Sequence, residues 1–287
     1  MKVSVIISIC DNREKLFKRS LDTWSKQTLK DFEIIIVDDA DRKEIYNLCK
    51  EYKSLKFQYI RIDNNKSFIP IKTFTPALSN NVGFRFSKGE VVCVTGPETL
   101  QNENNVEISY TFINRKECGY GLVYKSDNNF VDYISENWEN FKNLSVKDLT
   151  NIKGAQKECL TKPPHPPAYW YFMAVAKKNV EEIGGVDERF CQGFCAEDDD
   201  FANRMRFNGI TPVFEHKILG IHQNHSNIDK LSKKHSLRTT LDGKILRTKN
   251  INLMNENKKD KLIVANKTHV WGDSNLVIYH EFIGEKE

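Results

Sequence analysis

Residues 32–40 read FEIIIVDDA, four consecutive branched apolar residues, Ile34 to Val37, that stop on two adjacent aspartates, Asp38 and Asp39. An apolar run without alternation is the pattern of a strand buried on both faces. The same design appears twice more: KVSVIISI (2–9) runs into Cys10, Asp11 and Asn12, and EVVCVT (90–95) runs into Gly96, Pro97 and Glu98. Helical spacing fills the gaps. Leu16, Phe17, Ser20, Leu21 and Trp24 share one face of a helix over 13–27, RKEIYNLCKEY (42–52) and residues 76–87 read as two further helices, and KFQYIRI (56–62) reads as a strand. Strands alternating with helices predict right-handed crossovers, hence an α/β fold with a mostly parallel sheet flanked by helices. Ligands of such sheets sit at the carboxyl ends of the strands, where three strands here place polar or acidic residues. No GxGxxG and no GxxxxGK[ST] follows any strand, which argues against the usual dinucleotide fold and a P-loop.

The second half is less regular. Residues 126–165 are polar, with Phe130, Tyr133, Trp138 and Phe141 scattered through them, and read as a long irregular connection ending in the proline-rich KPPHPPAYW (162–170). AYWYFMAVAKK (168–178) then reads as a strand and NVEEIGGVDERF (179–190) as a short helix closed by Gly184 and Gly185. The next helix carries Phe201, Met205 and Ile210 and opens on four acids, Glu197 to Asp200. Carboxylates favour a helix N-terminus through the macrodipole. Four in a row exceed what capping needs, and their mutual repulsion calls for a cation or a proton-accepting role.

Composition narrows the class. The 287 residues are 39% hydrophobic and 29% charged with a net charge of +4, ordinary for a globular protein and too mild to argue for nucleic acid. Charge is concentrated late: Lys230 to Lys267 hold eleven Lys or Arg against three Asp or Glu, a basic surface suited to an anionic membrane or substrate, or simply a solvated face. The opening MKVSVIISICDNRE lacks a signal-peptide cleavage site, and no stretch of about 18 apolar residues is present. Seven scattered cysteines without paired zinc spacing read as reduced thiols, so a cytoplasmic location is expected.

Four segments, in order, resemble glycosyltransferase family 2 of the GT-A fold. They are VSVIISICDNREKLFKRSLDTWSKQT (3–28), EIIIVDDA (33–40), ALSNNVGFRFSKGEVVCVT (77–95) and GGVDERFCQGFCAEDDDFANRMRFNGI (184–210). The resemblance spans about residues 3–225. It implies a GT-A domain over 1–225, with a nucleotide-binding half to about residue 100, an acceptor and catalytic half over 101–225, and a basic extension over 226–287.

The activity so implied is inverting transfer of a sugar from a nucleotide sugar to a hydroxyl of a glycan or lipid-linked acceptor. Such enzymes serve bacterial polysaccharide, lipopolysaccharide or capsule assembly, at the inner face of a membrane that the basic extension would touch peripherally. Asp198 falls on the family's general base, with Glu197 orienting it or the acceptor. Asp199 and Asp200 are then caps or ion-pair partners, Arg204 lying one turn on. Asp38 and Asp39 would accept from the uracil N3–H of a UDP donor, although thymine presents the same edge. The ring packs on the end of the first strand, Ser8 and Ile9, and Asp11, Arg13, Asn81, Gly96 and Pro97 complete the nucleotide site. Trp170, with Gly193 and Phe194, would meet the acceptor, a core role for Trp170 standing equally open.

The family's Asp-x-Asp metal motif falls on Gly96-Pro97-Glu98, so the first aspartate is missing. Glu98 would either hold the metal or cap a helix beginning near residue 102. His222 and His225 in LGIHQNHS (219–226) are candidate further ligands, His222 preferred for lying nearer the strand TPVFEH (211–216). Carboxylate and imidazole suit Mn²⁺ better than Mg²⁺. Two other classes stay open: a GT-A scaffold that binds glycans or partners without catalysis, which Gly96 favours, and a nucleotidyltransferase, which the glycine-free SICDNREK (8–15) disfavours. A nucleic-acid binder lacks support.

Overall fold

A computed structural model describes residues 1–9, 13–39, 43–63, 76–160, 169–225 and 240–284. Asp11 lies outside the described residues, as do 161–168 of the proline-rich stretch and 226–239 at the start of the basic segment. The first half follows the sequence pattern closely: β1 (Val3–Ile9), α1 (Glu14–Trp24), β2 (Phe32–Asp38), α2 (Lys43–Glu51), β3 (Phe57–Ile62), α3 (Ala77–Phe86) and β4 (Val91–Thr95). The strands β3, β2, β1 and β4 lie side by side and parallel. Both faces of this sheet are covered, which explains the unbroken apolar runs. Val3, Val5 and Ile7 enter one core with Phe17, Leu21 and Trp24 of α1, while Ile6, Ile35 and Val94 enter the other with Val82 and Phe84 of α3. Each such fully buried side chain contributes about 1.5–3 kcal/mol.

Beyond β4 come β5 (Thr99–Gln101), α4 (Asn105–Tyr110), β6 (Glu117–Lys125), α5 (Asn128–Phe141), α6 (Val146–Leu149), β7 (Glu158–Cys159), β8 (Phe172–Ala176), α7 (Lys177–Glu182), α8 (Glu197–Phe207) and β9 (Thr211–His222). They extend the sheet through mixed pairings, since most of them are not linked by strand–helix–strand crossovers. β8 is antiparallel to β4 and β6, β9 is parallel to β6, and β5 is antiparallel to β9. The sheet runs β10 (Val277–Ile283), β3, β2, β1, β4, β8, β6, β9, β5, with β7 beside β6.

Residues 126–160 are more ordered than the sequence suggests. α5 starts at a side-chain cap, Asp127 accepting from the Phe130 amide at 2.8 Å, and buries only Phe130 and Ile134, one helical turn apart, over Leu100 and Ile221. Two apolar residues in a polar helix leave almost no periodic signal.

The C-terminal segment, residues 240–284, belongs to the same body. α9 (Leu241–Lys259) packs on α8, and β10 (Val277–Ile283) pairs antiparallel with β3, Val277 opposite Ile62 and Ile283 opposite Phe57. The six described cysteines are free thiols. Among the described residues no helix is long and apolar enough to cross a membrane.

Candidate functional site

The carboxyl ends of β1 and β4 open onto a cleft of about 390 Å³. It lies where β2 and β4 flank β1, the switch point at which open α/β sheets receive ligands. Ser8 and Ile9 supply its floor, and Arg13 and Asp39 line it close by. Gly96, Pro97 and Glu98 follow β4, and Trp170, Glu197, Asp198, His222 and His225 line it from the second half.

Asp38 and Asp39 part company because a strand sends successive side chains to opposite faces. Asp39 lines the cleft. Asp38 is fully buried and accepts from the Tyr59 hydroxyl at 2.5 Å. Burial and this carboxylate push the Tyr59 phenol up.

Glu98 does not cap a helix: the strand β5 follows it directly, and α4 begins only at Asn105. Its Oε1 lies 3.0 Å from His222 Nε2 and 3.4 Å from His225 Nε2. The side chain is 13% exposed. Burial alone would raise its pKa, but hydrogen bonds from the two imidazoles outweigh that and hold it well below the usual carboxylate range. One donor atom each from Glu98, His222 and His225 lie within 4.8 Å of one another. By donor type, spacing and carboxyl ionisation the trio fits a divalent cation.

The two histidines are not equivalent. Arg13 donates to His225 Nδ1 at 3.1 Å. A guanidinium has no acceptor, so Nδ1 carries the lone pair and the His225 proton sits on Nε2, facing Glu98. His222 Nε2 likewise faces the ionised Glu98 carboxylate, which can only accept, so its proton also sits on Nε2; its Nδ1 has no hydrogen-bond partner among the described residues, so nothing holds that nitrogen in its acceptor role. His222 is also the last residue of β9 rather than a residue beyond it, because β9 continues past 216 through a register shift opposite Gly121 and Leu122.

Gly96 makes this arrangement possible. A Cβ at position 96 would stand 3.1 Å from Glu98 Oε2. The glutamate, one methylene longer than aspartate, folds its carboxyl back over the place where a residue-96 side chain would lie.

The acids of the opposite wall are delivered by a strained turn. Cys195 and Ala196 both adopt left-handed φ, 64° and 70°, at roughly 1–2 kcal/mol each for residues with a Cβ. They swing the chain so that α8 starts at Glu197, with Glu197 and Asp198 on the cleft. Burial first, then repulsion from Glu197 and Asp199, drives the Asp198 carboxyl well above the usual range. Asp200 points away, accepting at 2.7 Å from Nε of the fully buried Arg204, as the i,i+4 spacing predicts.

Trp170 does two things at once: it lines the cleft and meets Phe201 edge-on, with centroids 5.1 Å apart. Besides Asp38, three expected site residues are not brought to the cleft. Asn81 is consumed by the 186–188 segment, donating to Val186 O at 2.8 Å and to Glu188 Oε1 at 2.9 Å. Gly193 and Phe194 pack instead against α9, the Phe194 amide donating to Leu246 O at 3.2 Å. Among the cleft-lining residues that the sequence did not single out, two polar ones stand out. Asn80 accepts from the Ser8 hydroxyl at 2.8 Å and lines the cleft. Lys125 faces the cleft because it is the register partner of His222 across β6 and β9, a pairing the sequence does not display.

Residues 4–96 match the family model described as glycosyl transferase family 2. The chain is 24% identical over 156 residues to the glycosyltransferase GlyG of Streptococcus pneumoniae serotype 4, covering 52% of this chain and 49% of that protein. It is 25% identical over 217 residues to the uncharacterised glycosyltransferase MJ1057 of Methanocaldococcus jannaschii, 72% of this chain and 67% of that one. It thus spans about half the length of GlyG. Among solved structures, S. aureus TarS 1-349 with UDP-GlcNAc superposes at TM-score 0.54 and 16% identity, covering 79% of this chain and 59% of that one. The mannosyltransferase PcManGT from Pyrobaculum calidifontis, in complex with GDP-Man and Mn²⁺, gives 0.50 at 14% identity, covering 78% and 56%. The first third of the chain, residues 4–96, therefore carries the glycosyl transferase family 2 pattern, and about four fifths of the chain shares the GT-A fold of these structures.

Proposed function

We propose that this chain is an inverting glycosyltransferase that moves a sugar from a UDP-linked donor to a hydroxyl of a glycan or lipid-linked acceptor. The observation that carries the reading is the single cleft whose walls set Asp39, the Glu98–His222–His225 trio and Asp198 around one space. Asp39 accepts from the uracil N3–H over Ser8 and Ile9. Asp198 takes the proton of the acceptor hydroxyl as it attacks the anomeric carbon. Its raised pKa suits it to hold that proton, and Glu197 beside it orients the acceptor. Glu98 and the histidines would hold a divalent cation, Mn²⁺ in preference to Mg²⁺, which when bound neutralises charge on the departing diphosphate. Arg13, on the same side of the cleft, adds a fixed positive charge there.

The relatives support the reading in kind: TarS was solved with UDP-GlcNAc and PcManGT with GDP-Man and Mn²⁺. Peripheral membrane contact through the C-terminal segment is part of the proposal, supported by Leu241 and Ile245, 73% and 58% exposed at the start of α9 beside Lys244 and Arg247. The test is calorimetric titration of UDP with and without Mn²⁺, on wild type and Glu98→Ala. Mn²⁺-dependent binding lost in the variant supports the reading. Gly96 in place of the motif's first aspartate favours a second one, a glycan-binding scaffold without catalysis, and UDP binding indifferent to both changes or absent altogether would turn the assignment that way.

A further inference from the structure

α9 packs through an unusual face. Its buried residues are Gly243, Asn250 and Asn257, seven apart and so on one stripe. Buried amides must be satisfied, and these two use their donors on the segment that precedes and opens α8. Asn250 Nδ2 donates to Phe190 O at 3.0 Å and to Cys195 O at 2.8 Å. Asn257 Nδ2 donates to Asp200 Oδ1 at 2.8 Å and to Asp187 Oδ2 at 3.1 Å, while its Oδ1 accepts from Arg189 at 2.8 Å. The Asn250 carboxamide is fully buried against Gly193, where any Cβ would overlap it. It holds the carbonyl of the first of the two left-handed residues, Cys195, immediately before Glu197 and Asp198.

We infer that Asn250 is a positioning residue: it locks the strained Cys195–Ala196 turn, and through it the direction in which Asp198 enters the cleft. A left-handed pair of non-glycine residues persists only where the surroundings over-determine it, and Asn250, on a helix roughly fifty residues later in sequence, ties the turn's Cys195 carbonyl to the Phe190 carbonyl that precedes it. The C-terminal segment is thereby part of the catalytic apparatus. The kinetic half of this inference rests on Asp198 being the base.

The test compares the full-length wild type with Asn250→Ala, the double variant Asn250→Ala/Ala196→Gly, and Asp198→Asn. Amide hydrogen exchange is read first, since it needs no substrate. Asn250→Ala is expected to exchange at residues 193–199 at least tenfold faster with β1 unchanged, and the double variant, relieved of the Cβ penalty at 196, to recover part of the protection. Unchanged exchange at 193–199, or an equal rise in β1, overturns the inference. Turnover of a UDP-sugar then separates positioning from stability: kcat falls about 10- to 100-fold while the donor KM and UDP affinity stay within twofold. A kcat within twofold of wild type overturns the positioning role. Asn250→Ser, which keeps one short donor, serves if the alanine variant does not fold. If Asp198→Asn turns over like wild type, the base assignment has failed, and the exchange data still decide whether Asn250 holds the turn.

Discussion

Thr99 and His222 are register partners across the antiparallel pair of β5 and β9. That pairing brings the carboxylate just before Thr99 onto the imidazole, and Gln223 fastens the same junction by donating to Glu98 O at 2.9 Å and Leu16 O at 3.0 Å. The Glu98–His222 contact is therefore built into backbone registration rather than left to a loop, which is how a site can be held rigid before any ligand arrives.

The two histidines should separate in mutagenesis. His222→Ala is expected to weaken Mn²⁺-dependent UDP binding at least tenfold, and His225→Ala less, because Arg13 at Nδ1 pins the His225 proton to Nε2, whereas the unoccupied Nδ1 of His222 can take its proton and leave Nε2 to bind. Chelation with EDTA should reduce wild type to the level of Glu98→Ala. Calorimetry on the three variants checks this; equal losses at both histidines would contradict the tautomer argument.

Placing an aspartate at position 96 should harm the protein. In Gly96→Asp the new Cβ would meet the Glu98 carboxyl at 3.1 Å and set a second negative charge beside it. UDP affinity in Mn²⁺ is expected to drop about tenfold or more, with Gly96→Ala intermediate. A gain in affinity would mean that Glu98 is a degraded copy of the motif instead of a self-sufficient one.

Asp198→Asn is expected to lower turnover by about 10² to 10⁴ while leaving UDP affinity within twofold. The same change should stabilise the fold at pH 7 by about 1–2 kcal/mol. The sign follows from the raised carboxyl: the folded state binds this proton more tightly than the unfolded one, so stability is lost as pH rises from about 4 through the folded pKa. Thermal melts at pH 4 and pH 7 should show the variant's advantage only at the higher pH. The acid limb of kcat/KM should fall above the ordinary carboxylate range, and a limb near pH 4 would argue that another group is the base.

Asp38 and Asp39 should behave as different kinds of residue. Asp39→Ala is expected to weaken UDP binding about tenfold with little change in melting temperature. Asp38→Ala removes the buried hydrogen bond from the Tyr59 hydroxyl and should cost about 1–3 kcal/mol of stability. Paired melts and titrations distinguish them.

Much of the first half was legible because both faces of its sheet are covered, which forces unbroken apolar runs such as Ile34 to Val37. The acids from Glu197 to Asp200 were equally visible, since charges so dense are out of place unless used. What stayed hidden depended on pairing between distant segments. Lys125 enters the cleft through β6–β9 registration. Asn81 looked like a ligand contact and instead ties α3 to Val186 and Glu188. α9 buries asparagines where a periodicity search looks for leucine, so nothing in its sequence announced a packed helix, and β10 was not anticipated.

The place of β10 at the edge of the sheet has a consequence for synthesis. It covers β3, yet it follows β3 by some two hundred residues. At about 5–20 residues per second on a ribosome, the outer edge of β3 stays bare for about 10–40 s after it has emerged. A bare apolar edge is a template for pairing with other chains. Expression yield, more than the stability of the finished protein, should thus respond to changes in β10 and to the supply of chaperones that shield nascent strands.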